Sequence, residues 1–212
     1  MTANLKISFA TFESAKFAVE HWHYSKSMPS AKSVKFGVWE EGKFKGVVIF
    51  SLGANRHIAD PYGLKKEEVC ELTRIALQRH ETPVSRIVAI SLKLLKKSNP
   101  GIKLVVSYAD LDHGHEGKIY QAGGWLFEKI CAKDRGIIIK GRLRHRRTLN
   151  SVYNTSSIEF IKKKLDPNAK IAVGRGKMKY LMPLDKQTRI KVVKLTNPCP
   201  KNVIKQEAEV CV

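Results

Sequence analysis

Asp110, His113, His115 and Tyr120 fall within eleven consecutive positions of one polar, glycine-containing stretch, Ser107 to Trp125. A carboxylate and a phenol so close together can divide an acid/base task. The carboxylate accepts a hydrogen from a weakly nucleophilic amine, and the phenol returns a proton to a leaving group. The same residues have plainer readings: Asp110 caps a short helix, and Tyr120 packs on a sheet. His113 and His115, one residue apart, form half of a metal site that needs a third ligand and open positions, or a pair on a surface loop. His23, in Trp22-His-Tyr-Ser25, reads as a base, a metal ligand or a base-contacting group. It reads equally well as a helix C-terminal histidine favoured by the dipole. Beside it, Tyr24 is the candidate to stack on a base turned out of a duplex, with Ser25 as a further substrate contact.

These side chains need a scaffold that holds them at one end of a sheet, where ligands of open α/β sheets bind. Leu5 to Phe9 reads as a strand, and Thr11-Phe-Glu-Ser opens a helix reaching about Trp22. Val34 to Trp39 and Phe44 to Phe50 read as a hairpin whose turn contains Gly42. Val69 to Leu77 alternates as a longer strand. Thr82-Pro83 reads as the start of a helix, with Thr82 as N-cap and Pro83 in the first turn. The helix carries a broad apolar face to about Lys97, and Asn99-Pro-Gly101 stops it. A strand from Ile102 to Tyr108, a short helix near Lys118 to Ala122 and a strand from Trp125 to Ile130 complete the order β-α-β-β-β-α-β-α-β. A hairpin followed by a strand-helix-strand crossover predicts a mixed sheet.

Charge sets the class of partner. The chain has 212 residues, with 39 Lys+Arg against 19 Asp+Glu, a net +20. An excess of that size attracts polyanions, nucleic acid first, in a salt-dependent way. The 43% hydrophobic content is enough for a sizeable core. The basic residues concentrate late. Arg142, Arg144 and Arg146 alternate as on one face of a strand, and Arg147, Lys177 and Lys179 extend the series. They read as a phosphate-backbone track or as a solvated charged face. Ser156 to Leu165 reads as a short capped helix, and Lys170 to Lys194 as one or two exposed strands. These features divide the chain into a core over 1–140, a basic extension over 141–200 and a mobile tail over 201–212. Cys70, Cys131, Cys199 and Cys211 form no CxxC pair and read as reduced thiols. No apolar run is long enough to span a bilayer. The expectation is a cytoplasmic protein with no membrane partner, acting as a monomer or homodimer.

The order of elements, with Tyr-x-x-x-Gly-aromatic on a short helix after a strand, resembles the GNAT acyltransferase fold. Trp22-His-Tyr-Ser25, Phe36-Gly-Val-Trp39, Gly53-Ala-Asn55, Glu71-Leu-Thr-Arg74, Pro83-Val-Ser-Arg86, Ser107-Tyr-Ala-Asp110 and Tyr120-Gln-Ala-Gly-Gly-Trp125 are similar to one subgroup, the phage Mom family. Arg144-His-Arg-Arg147, Leu165-Asp-Pro-Asn-Ala169 and Lys179 to Leu184 are similar to that family's tail. The resemblance spans roughly residues 20 to 200. It implies a GNAT-like α+β fold, a mixed and mostly antiparallel central sheet flanked by helices, with a basic C-terminal extension. It implies a transferase that converts adenine in double-stranded DNA to N6-(carbamoylmethyl)adenine and shields the DNA from restriction. The implied donor is acetyl-CoA or another activated two-carbon or glycine-type unit, and an iron is a further possibility.

In that frame Asp110 handles the adenine amine and Tyr120 the donor side. Thr82, Ser85 and Arg86 lie at the helix start where such folds bind the CoA pyrophosphate. The glycine-rich loop usual there is absent, and a plainly capped helix is the other reading. An ordinary N-acetyltransferase of a small amine or protein, and a non-catalytic DNA-binding protein, are the alternative functions.

Overall fold

A computed structural model of the chain describes residues 4–53, 55–133 and 135–200, with the side chains of His145 and Arg147 excepted. The tail expected to be mobile, 201–212, lies outside the described residues, as does Cys211. The first elements follow the expected order: β1 (Leu5–Phe9), α1 (Phe12–Trp22), β2 (Ser33–Glu40), β3 (Lys43–Ser51), β4 (Val69–Leu77), α2 (Val84–Ser98), β5 (Leu104–Asp110), α3 (Lys118–Ala122) and β6 (Leu126–Ile130). Then come β7 (Arg135–Ile139), β8 (Arg142–His145), α4 (Arg146–Tyr153), α5 (Ile158–Lys164), β9 (Lys170–Val173), β10 (Lys177–Pro183) and α6 (Lys186–Val193).

Local chemistry accounts for most of these boundaries. The Thr11 side chain accepts from the Ser14 amide and starts α1. Glu41 and Gly42 both take positive φ, 49° and 71°, as a two-residue hairpin turn between β2 and β3 requires. Ser157 caps α5 through the Phe160 amide, and Asp185 caps α6 through the Thr188 amide. Ala15, Ala18 and Val19 of α1 bury against Val47, Ile49 and Ala76. These small residues let the helix approach the strands closely.

The chain divides into two compact units. One holds residues 4–108, 117–129 and 179–199; the other holds 109–116 and 130–178. The strands of the main sheet run in the order β1-β2-β3-β4-β5-β10-β6. The β1–β2, β2–β3 and β3–β4 pairs are antiparallel, and β4–β5 is parallel. In the first unit Val69, Leu104, Val106 and Leu181 bury against Ile58, Ala59 and Tyr62. In the second, β8-β7-β9 form a three-stranded sheet, and Ile137, Leu149, Ile161 and Ala169 make its core.

The late part of the chain departs from expectation in three places. The boundary at residue 140 is not observed, because residues 179–199 return to the first unit. Lys170 to Lys194 is not a pair of exposed strands. Only β9 is an exposed strand; β10 is largely buried between β5 and β6, and α6 is a helix. Arg146 opens α4 instead of continuing β8, so the strand presents Arg142 and Arg144 alone.

Candidate active site

The parallel pairing of β4 with β5 covers only three steps, Val69 with Leu104, Cys70 with Val105 and Glu71 with Val106. Beyond Glu71, β4 runs on to Leu77 along β3, with a register shift between Ile49 and Phe50 of β3. The two strands part there, and Ser107 stands at the fork. Its Oγ lies 3.0 Å from the Leu72 carbonyl oxygen and 2.8 Å from the Tyr120 hydroxyl. A serine hydroxyl has one proton to give. With that proton on the Leu72 carbonyl, Tyr120 becomes the donor to Ser107. Tyr120 is 7% exposed. Burial pushes its phenol up to about 12, the Ser107 hydrogen bond opposes this, and the charges of Tyr24 and Glu71 reinforce it. At neutral pH Tyr120 is therefore an acid or hydrogen-bond donor, and it is not a base.

Glu71 and Tyr24 also act on Arg74, so these four side chains share one electrostatic neighbourhood. Burial lowers the Arg74 guanidinium, and its Nε and Nη1 donate to the Ser27 and Thr73 carbonyls. Sequence reasoning singled out neither Ser107, Glu71 nor Arg74 as site residues. The available signal was the charged pair inside the strand word Glu71-Leu-Thr-Arg74.

His23 ends α1 as its C-cap and is buried. Its ring stacks on Tyr24 with centroids 4.3 Å apart. The Ser25 amide donates to His23 Nδ1 at 3.1 Å, and the Ser25 hydroxyl lies 2.8 Å from the same atom. Nδ1 is thus an acceptor, and the neutral ring carries its proton on Nε2. Nδ1 is engaged by Ser25 at the C-cap of α1, the place of the helix C-terminal reading. Tyr24 is 47% exposed, as a stacking surface must be. Ser25 serves His23.

The start of α2 also differs from expectation. The N-cap position is Pro83, and no side chain caps it. Thr82 is buried and faces Glu40. The Thr82 amide donates to Glu40 Oε1 at 2.7 Å and the Glu81 amide to Oε2 at 2.9 Å. Burial alone would raise Glu40. The Thr82 hydroxyl, the two amides and His80 outweigh it and hold the carboxyl at about 2. An ionised carboxylate already occupies the donors of the loop that enters α2. Thr82 is turned to that carboxylate and is withdrawn as a phosphate ligand. Ser85 is half-buried and Arg86 exposed one turn further on.

In the second unit, Asp110 is the buried last residue of β5. Its Oδ1 accepts from the Asp112 amide at 3.1 Å, with His113 Nδ1 at 3.5 Å, and Lys177 Nζ lies 3.4 Å from its Oδ2. Asp110 therefore both caps the turn after the strand and pairs with a cation. Lys177, 37% exposed, is held beside that carboxylate. The His113 and His115 rings are 6.3 Å apart. Burial, then His113, lowers His115. Among the described residues no three His, Cys, Asp or Glu side chains are grouped to hold a metal. These residues do not fit an iron.

Arg142, Arg144 and Arg146 are exposed. Arg142 and Arg144 stand with Lys140 around a cavity of about 600 Å³ floored by Ile139, Leu149 and Tyr153. The Arg147 side chain lies outside the described residues. Lys179, expected on the same track, is 7% exposed. Its Nζ is 3.1 Å from Glu128 Oε2 and 5.1 Å from the centre of the Tyr62 ring, and Tyr62 donates to the same carboxylate. A buried, paired lysine cannot reach DNA.

A family model described as the Mom protein family matches residues 4–201. A curated relative, the tissue-nonspecific isozyme of alkaline phosphatase from Gallus gallus, is 31% identical over 140 residues, which is 65% of this chain and 24% of that protein. The chain thus spans about a quarter of that relative's length. Among solved structures, a Bacillus subtilis acetyltransferase in complex with CoA is 12% identical at TM-score 0.49, covering 87% of this chain and 100% of that one. An N-acyl amino acid synthase from uncultured soil microbes is 10% identical at TM-score 0.49, covering 92% and 98%. Likenesses at this level assign no activity to the chain. No helix among the described residues is long and apolar enough to cross a membrane.

Proposed function

The chain belongs to the Mom protein family, and from that membership we propose that it is a transferase that modifies adenine in double-stranded DNA. The product is N6-(carbamoylmethyl)adenine, and its use is protection from restriction. The observation that carries the reading is the fork between β4 and β5, with the Ser107–Tyr120 pair at its head, in a chain that matches the family almost end to end.

The net change replaces one N6 hydrogen of adenine with a carbamoylmethyl group. A new N6–carbon bond forms, and the bond from the donor carbon to its carrier breaks. The carrier leaves with the electron pair and takes up a proton, while the N6 hydrogen goes to a base. Tyr120, protonated at neutral pH, suits the acid role, with Ser107 as the next group along the hydrogen bond. Asp110 is assigned the N6 hydrogen, with Lys177 compensating its charge. An acetyl group lacks the terminal nitrogen of the product. A glycyl unit carries a nitrogen, but on the methylene carbon, so its direct transfer from the carboxyl carbon gives the isomeric N6-glycyl amide. The N6–methylene bond of the product requires a two-carbon unit whose carrier leaves from the methylene and which already bears the amide, or a rearrangement of the glycyl amide after transfer. Arg142 and Arg144 are assigned to the DNA backbone.

DNA recovered from cells expressing the chain should resist restriction enzymes whose recognition sites contain adenine. Full cutting, together with tight DNA binding in vitro, would instead favour the non-catalytic DNA-binding reading. Thioester turnover on a small amine without DNA would favour the ordinary acetyltransferase.

A further inference from the structure

We propose that the cavity beside β8 takes an unstacked nucleotide of the DNA, its base against the apolar floor and its phosphate at Arg142 and Arg144. The proposal rests on the DNA-modification reading above and names the form of DNA that the second unit holds.

The register of the small sheet shows why this cavity is not ordinary core. Residues directly opposite each other on paired strands share a face. Arg144 stands opposite Ile137, and Arg142 opposite Ile139. Ile137 is buried among Leu149 of α4, Ile161 of α5 and Ala169. Both arginines therefore lie on the face that the helices cover, where a strand normally carries apolar residues. Leu143, opposite Ile138, takes the other face. The strand is inverted relative to the usual alternation, and the helices leave a hollow of about 600 Å³ against it. A hollow of that size lies within the range of ligand sites and is too large for a packing defect in a close-packed interior.

Its lining combines two chemistries. Ile139, Leu149 and Tyr153 form an apolar floor, and Lys140, Arg142 and Arg144 rim it. Tyr153 is 41% exposed, so its ring is open to a partner. The backbone of a closed duplex is polar and anionic throughout, and it gives an apolar floor nothing to cover. An unstacked nucleotide offers both complements, a flat base for the floor and a phosphate for the guanidinium groups. Reaction at an adenine inside a duplex requires the base to leave the stack, so unpaired nucleotides accompany the proposed reaction.

Fluorescence-anisotropy titration of the full chain with an oligothymidylate of about twelve nucleotides, and with a duplex of the same length, tests this. The oligothymidylate contains no adenine, so its binding is independent of the modification reaction. A purely electrostatic track favours the duplex, whose charge density is higher. The wild type should instead hold the oligothymidylate at least as tightly as the duplex. Tyr153→Ala should weaken the oligothymidylate about tenfold and the duplex less than about twofold, with the salt dependence of both unmoved. Light-induced cross-linking of an iododeoxyuridine oligomer to the wild type should fall on Tyr153, and it decides alone if the variant does not fold. A duplex preference of about tenfold or more, equal weakening of both DNAs by Tyr153→Ala, or cross-links only outside the cavity would overturn the proposal. So would binding of an oligouridylate about tenfold tighter than the oligothymidylate, which would assign the cavity to RNA. Modified deoxyadenosine in cells without any hold on the single strand would sink this proposal and leave the proposed function standing. Absence of modification and of binding to either DNA would count against both.

Discussion

Strands β8 and β10 carry the same alternation of basic and apolar residues, and the fold treats them in opposite ways. In β8, Arg142 and Arg144 project together into solvent beside an apolar cavity. In β10, Lys179 is buried with its ammonium paired to Glu128 and over the Tyr62 ring. The difference lies in what the neighbours supply. An edge segment of a small three-stranded sheet leaves its cations free for a polyanion. A strand inserted into a seven-stranded sheet must find an internal counter-charge, because an unpaired buried ammonium is costly. A basic run therefore marks a nucleic-acid surface only where the fold leaves it unpaired.

Four experiments break or sharpen that contrast. Lys179→Ala should have the largest effect, on stability. It leaves the buried Glu128 carboxylate with only the exposed Lys129 ammonium at 3.6 Å and the Tyr62 hydroxyl, at a cost of about 3 kcal/mol, read as a fall in the denaturant midpoint, while any DNA affinity of the folded fraction stays unchanged. The double variant Arg142→Glu/Arg144→Glu should do the reverse. DNA affinity drops by roughly 100-fold, and the slope of log affinity against log salt falls by about 2, with the melting temperature essentially unmoved. An equal loss of DNA binding in the Lys179 variant, at matched folding, would erase the distinction between the strands.

Glu40→Ala leaves the Glu81 and Thr82 amides without their acceptor and should cost about 1–3 kcal/mol. Its pH dependence has a definite sign. Because the folded carboxyl sits at about 2, below its ordinary 4.5, the contribution is present above pH 4.5 and is lost as pH falls towards 2. Unfolding curves of wild type and variant should converge over that window. The smallest change is Ser157→Ala, which removes the α5 cap, at about 0.5–2 kcal/mol. It should be visible in thermal melts and silent in DNA binding.

The contrast also shows what the sequence could and could not convey. Elements built on neighbouring residues were readable: the Thr11 cap of α1, the Gly42 hairpin turn, the short helix bearing Tyr120 and the Ser157 cap of α5. The contacts that define the site join distant positions. Glu40 finds Thr82 across 42 residues, and Ser107 joins Leu72 across 35. No local pattern announces such pairs. Thr82-Pro83 looked like a cap because the residue types suit one, yet Pro83 itself takes the N-cap position and Thr82 turns to Glu40. Helix α6 escaped notice because its basic and apolar residues lack a clear face, although Asp185 ahead of Lys186 was a cap signal. Asp110 and Tyr120 were legible as candidates. The strand fork that gives Tyr120 its setting was not.

The most direct test is mass spectrometry of the nucleosides in DNA from cells expressing the wild-type chain, Tyr120→Phe or Asp110→Asn, each at matched protein level. The account predicts a substituted deoxyadenosine with the wild type, at least about a hundredfold less with either variant, and unchanged DNA binding by both. Only unmodified deoxyadenosine with the wild type, or equal modification by all three proteins, would contradict it.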